Sequence, residues 1–180
     1  MSVKLKHTEE ALRKFAKAVI KQARTRLTKE GHNVSSKLYN SLDYDVTVSP
    51  NSFKLLFEMM PYGEFIDKGV RGTKSSPIGT AKSPFKYKES SAVMGMEYHT
   101  GTFAEWAKRK RIRLRDNKGK FKKGNYKSIG FVIARSVKEK GIKPSFFFTK
   151  PFEQQFKNLP PQLIMSFGLD TEDFLQFTTK

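Results

Sequence analysis

Leu12, Phe15, Ala16, Val19, Ala23 and Leu27 recur at helical spacing, which places them on one face of an α-helix. Thr8 reads as the N-cap, Glu9 and Glu10 fall in the first turn, and Gly31 is the stop, so a helix is expected over residues 8–31. Its opposite face is basic, carrying Lys14, Lys17, Lys21 and Arg24. After a polar break at residues 32–36 the period changes to two. Leu42, Tyr44, Val46 and Val48 alternate with Asp43, Asp45 and Thr47, and beyond Ser-Pro-Asn-Ser come Phe53, Leu55, Phe57 and Met59. That is the pattern of a hairpin with one buried face. Pro61 ends its second strand, and PYGEFIDKG predicts a short turn of helix closed by Gly69.

Residues 70–101 are rich in Gly, Pro and Ser and show no sustained period, which predicts a long loop arm. Within it Phe85, Tyr87, Met94 and Met96 are apolar and suited to subunit contacts. Thr102 with Glu105 forms a capping box for a short helix carrying Trp106. A further helix is expected from Asn125, as cap, to Gly141, as stop, with Ile129, Val132, Ile133 and Val137 inward. Trp106 and Phe131 also read as core. Phe146, Phe147 and Phe148 form a short extended run between Pro144 and Pro151; because strand neighbours alternate, Phe147 or its two flanking rings need cover. Thr149 caps the next helix, and the tail has two more helix starts, at Pro160-Pro161 and at Asp170. The expected fold class is α+β: a small antiparallel sheet packed with helices, a long loop arm and a helical carboxyl-terminal extension. The division expected is one domain over 1–158 and an extension over 159–180, where Leu163, Phe167 and Phe174 are suited to gripping neighbours. Removing the extension is expected to leave a soluble fold and abolish assembly.

Charge sharpens this picture. The 180 residues carry 35 Lys and Arg against 17 Asp and Glu, a formal charge of +18, and no Cys. The excess concentrates in a stretch over 108–127, with Arg109, Arg111, Arg113, Arg115, Lys118, Lys120, Lys122 and Lys123. Such a field attracts polyanions, either double-stranded DNA without sequence preference or an acidic protein surface. The absence of Cys excludes disulfides and thiolate sites. No apolar run approaches membrane-spanning length and no signal-peptide core opens the chain, so no membrane partner and synthesis in a cytoplasm are expected.

Catalytic patterns are scarce. Phosphate-loop, dinucleotide, nucleophile-elbow and zinc-protease motifs are absent. Asp43 and Asp45, with Glu58 across the hairpin, or Glu64 and Asp67 on one helical turn, are the carboxylates nearest to a metal-dependent nuclease site, and they lack further acids at ligand spacing. The expectation is no enzyme, no cofactor and no metal.

Two segments together resemble the tail-completion, or neck, proteins of tailed phages. In PYGEFIDKGVRGT, Tyr62, Phe65, Asp67 and Gly69 occupy that family's signature positions, with Gly72 and Thr73 slightly displaced. In FVIARSVKEKGIKPSFFFTKPF, Gly141, Pro144, Phe146, Phe147 and Pro151 resemble its Gly-Ile-x-Pro-x-Phe-Phe run before a final helix. The order of elements over residues 8–158 is similar as well. The resemblance implies a structural virion protein, a homo-oligomeric ring of six or twelve copies in the neck, between portal or adaptor and tail proteins, completing the DNA passage. The alternative is a stand-alone basic nucleic-acid-binding protein.

Overall fold

The computed structural model describes residues 5–32, 35–49, 52–87, 93–116, 118–122 and 124–178, with the backbone alone for 93–100 and 178. The fold is α+β. The chain divides into two compact units, one formed by 1–63 with 146–180 and the other by 64–145. The carboxyl-terminal segment 146–180 belongs to the first unit.

In the first unit the amphipathic helix α1 (Lys6–Lys29) buries Leu12, Phe15, Ala16, Val19, Ile20, Ala23 and Leu27. It ends as predicted at Gly31, whose φ of 73° lets Gly31 N donate to Thr28 O and His32 N to Leu27 O. Its start differs: the helix begins at Lys6, and Thr8 lies buried inside the first turn instead of capping it. A short helix α2 (Lys37–Ser41), not expected from the sequence, seats Leu38 and leads into the hairpin. Strands β1 (Asp43–Ser49) and β2 (Ser52–Glu58) pair antiparallel from Asp43↔Glu58 to Ser49↔Ser52. Val46 is buried against α1 together with Leu12, Phe15, Val19 and Leu159, while Tyr44, Val48, Leu55, Phe57, Phe148, Phe152 and Leu163 pack around them. Aromatic edges knit this core, with ring centroids 6.2 Å apart for Phe15–Phe57, 5.7 Å for Phe15–Phe152 and 5.2 Å for Phe57–Phe148.

The Phe run is a turn, not an extended strand. Phe146 takes a φ of 51°, and helix α6 (Thr149–Phe156) starts at once, with Phe148 rather than Thr149 in the cap position. Phe147 is completely buried, as the alternation argument required of one member of the run. The tail is one helix, α7 (Leu159–Thr178), not two. Pro160 and Pro161 sit in its first turn, where a missing N–H costs nothing. Asp170 lies mid-helix, and its carboxylate serves another helix.

In the second unit α3 (Gly63–Lys68) ends at Gly69, φ 70°, and β3 (Val70–Arg71) pairs with β4 (Gly141–Ile142). The loop arm expected over 70–101 is, among its described residues, bonded chain up to Tyr87 and helix from Val93. Arg71 N donates to Phe85 O (3.0 Å) and Tyr87 N to Arg71 O (2.9 Å), and α4 (Val93–Arg109) begins well before Thr102. Helix α4 lies against α5 (Tyr126–Lys140). Asn125 caps α5 by accepting from Ser128 N, and Gly141 follows its end, as the sequence predicted. The buried side chains of the pair are Ala107, Ile129 and Ala134, beside Gly130. The bulky residues expected inward turn out: Trp106, Phe131 and Val132 are 38%, 48% and 52% exposed.

Candidate functional site

The two segments that carry the resemblance are the two places where the chain passes between its units, at 63–64 and at 145–146. Around these crossings they are bonded to each other. Ser145 donates to Ile66 O from its N–H (3.0 Å) and from its hydroxyl (3.1 Å). Gly69 stands where a Cβ would meet Ile142 O at 2.6 Å and Pro144 N at 2.8 Å, so only glycine fits there, even apart from its positive φ. Gly72 is equally tight against the Glu139 carbonyl. Thr73 N donates to Lys138 O and Lys74 N to Glu139 O, both 3.0 Å. Hydrogen bonds from Lys74 and Arg135 hold the Glu139 carboxyl below the usual carboxylate range. Asp67 is buried, and the Phe65 ring meets Phe85 edge-on at 4.5 Å. Burial pushes the Tyr62 phenol up, against a backbone hydrogen bond with Leu38. Within the second unit Gly69, Gly72, Gly141 and Pro144 thus interlock, while Tyr62 packs by Leu38 in the first.

The described residues of the basic stretch form a helix end and a hairpin. Helix α4 closes with Ile112 N bonded to Ala107 O and Arg111 N to Lys108 O, an arrangement that needs a left-handed residue at the position Arg111 holds, φ 53°. The chain then doubles back: Arg115 pairs with Phe121, Lys122 N donates to Leu114 O and Asp116 N to Lys120 O, both 2.9 Å. Gly119, φ 79°, closes the turn onto Asp116 O. Asp116 Oδ1 accepts from Lys118 N (2.9 Å) and Lys120 N (2.8 Å). Phe121, 61% exposed, carries the Arg115 guanidinium 4.5 Å and the Arg113 guanidinium 5.8 Å from its ring centroid. Arg109, Arg111, Arg113, Arg115, Lys118, Lys120 and Lys122 are all exposed; Lys123 lies outside the described residues.

The basic face of α1 borders a groove that the sequence did not foretell. Lys17, Lys21, Arg24 and Lys29 line a groove of about 600 Å³ with Tyr39, Asp43 and Tyr44. Arg24 donates to Tyr39 O (3.1 Å) and Leu42 O (2.9 Å) and lies 5.1 Å from the Tyr39 ring. The basic face of α1 was legible, but α2, which supplies the far wall, was not.

The residues expected to touch neighbours divide. Leu163 belongs to the core of its own unit, and Phe85 is engaged by Phe65 and, at 6.0 Å, by Lys68. Tyr87 is half-buried, which pushes its phenol up. Phe167 is 53% and Phe174 43% exposed. The Met94 and Met96 side chains lie outside the described residues. Of the carboxylates singled out, Glu64 is exposed and ion-paired with Lys68 (3.6 Å) while Asp67 is buried, and Asp43 stands directly across the hairpin from Glu58. Among the described residues no three His, Asp or Glu are grouped to hold a metal, and no helix is long and apolar enough to cross a membrane. Comparison of the chain with protein-family models, curated proteins and solved structures gives no match.

Proposed function

We propose that the protein is a structural subunit of the head-to-tail connector of a tailed phage. Copies associate into a ring that joins portal or adaptor to tail proteins and continues the DNA passage, acting by position and not by catalysis. One observation carries this reading. Two segments far apart in sequence resemble one family, and in the fold they are bonded partners, through Ser145 to Ile66 and Val70 to Ile142. Isolated chance likenesses have no reason to meet. The exposed apolar side chains of α7 support self-association: Ile164, Met165, Phe167, Leu175 and Phe177 are 74%, 71%, 53%, 56% and 66% exposed, and clustered exposed apolar residues mark interaction surfaces.

The test is the copy number of this chain in purified particles, relative to the portal protein, by quantitative mass spectrometry. A small fixed ratio is expected. Absence from particles overturns the reading in favour of a stand-alone nucleic-acid-binding protein, the alternative that the ordered basic hairpin favours.

A further inference from the structure

We infer that the hairpin formed by residues 111–116 and 118–122 is a nucleic-acid contact that grips the phosphate backbone without reading sequence. Its charge is of one sign and uncompensated. Asp116 is the one acidic residue in it, and that carboxylate is committed to the turn through Lys118 N and Lys120 N. Among the described residues no carboxylate comes within ion-pair distance of Arg111, Arg113, Arg115, Lys118, Lys120 or Lys122.

The cations also stand on a frame. Backbone bonds at 2.9 Å fix both arms of the hairpin, and the exposed Phe121 ring holds two guanidinium groups near its face. A guanidinium held by its plane keeps its N–H edges available for the paired oxygens of a phosphate, and less freedom is lost on binding. Arg111 adds a second kind of sign. It occupies a left-handed position that glycine fills with less strain, as Gly31 does at the end of α1. A strained residue kept where an easier one exists points to a use for its side chain.

An acidic protein partner fits less well. Stable protein interfaces have an apolar centre depleted of charge, and Phe121 is the one exposed large hydrophobic residue of the hairpin. Nucleic acid needs no such centre, because release of counterions from phosphates supplies the affinity.

The experiment is fluorescence anisotropy of the full chain with a short labelled duplex and the matching single strand, over a salt series. The logarithm of affinity should fall linearly with the logarithm of salt, by about 0.9 for each phosphate neutralised. Arg113→Glu with Arg115→Glu should weaken binding at least tenfold and flatten the slope by about two contacts' worth. Lys14→Glu with Lys157→Glu, the same charge change at exposed sites on α1 and just beyond α6, should leave the slope unchanged. Lys118→Glu with Lys122→Glu repeats the test if the arginine variant loses its fold. Phe121→Ala should cost a few-fold on duplex and single strand alike. Equal loss in the hairpin and control variants overturns the assignment, as does a Phe121→Ala loss confined to the single strand. Competition by polyglutamate equal to that of duplex, charge for charge, overturns it in favour of an acidic protein. These readouts use the purified chain and the connector reading is tested on particles, so either can fail alone.

Discussion

Asp170 caps Thr8. The carboxylate on α7 accepts the Thr8 N–H at 2.9 Å and the Thr8 hydroxyl at 2.8 Å through one oxygen, and the His7 N–H at 2.9 Å through the other. The first turn of α1 has no partners of its own for these N–H groups, and a negative charge there also meets the positive end of the helix dipole. Asp170 is 3% exposed, so the bonds form away from competing water.

Asp170→Ala should therefore lower stability by about 2 kcal/mol, the upper range for losing a helix cap. Asp170→Asn should recover part of this by keeping one acceptor. Urea unfolding followed by far-UV circular dichroism reads both; an unchanged midpoint for the Ala variant refutes the cap.

Truncation after residue 158 should unfold the first unit, where the sequence led us to expect a soluble fold that no longer assembles. It removes Leu159 from the core and Asp170 from α1. Limited proteolysis should then cut within residues 6–29, which the intact chain protects. A truncated chain with α1 still protected contradicts this.

Acid should act through the same contact. Burial pushes the Asp170 carboxyl up, but bonds from the His7 and Thr8 backbones and the Thr8 hydroxyl outweigh it, leaving the group below its usual range. A depressed folded pKa gives stability that is present above the unfolded value, about 3.9, and lost as pH falls through the lower folded value. Glu139 in the second unit carries the same sign. Unfolding midpoints measured from pH 6 downward should fall below about pH 4, and fall less in Asp170→Asn.

Arg111→Gly should raise stability by about 1 kcal/mol by relieving the left-handed strain, while costing about one phosphate contact in the salt slope. Thermal unfolding checks the first effect. A lower melting temperature would mean that the arginine side chain stabilises the helix end by more than its backbone strains it.

Two glycines should respond in opposite directions. At Gly141, φ 85°, a Cβ would collide with the Val70 carbonyl, so Gly141→Ala should cost about 3 kcal/mol or more. At Gly168, inside α7, nothing lies within 4 Å, and Gly168→Ala should gain up to about 1 kcal/mol. Denaturant midpoints of the two variants check the pair.

What was legible in the sequence follows the reach of the forces involved. The ends of α5 were readable because Asn125 and Gly141 act on neighbouring residues, and the hairpin because its alternation is local. Thr8 misled because its type suits a cap, whereas the capping carboxylate comes from residue 170. Trp106 and Phe131 misled because size suggested burial, whereas among the described residues of the two helices the buried ones are Ala107, Ile129, Gly130 and Ala134. The basic stretch was read correctly as charge. Its hairpin form was not, because it depends on the pairing of Arg115 with Phe121 and on the turn at Asp116.

The nesting of 64–145 within the first unit sets an order of events on the ribosome. Helix α1 emerges early, but its capping partner is 162 residues downstream of Thr8. The second unit, contiguous in the chain, can close first and bring its two ends together at Ile66 and Ser145. That closure shortens the loop joining β2 to α6 and lowers the entropy lost when the first unit forms. Until then the apolar stripe of α1 lacks the cover of Phe148, Phe152, Leu159 and Leu163, apolar surface that a nascent chain offers to chaperones or to neighbouring copies.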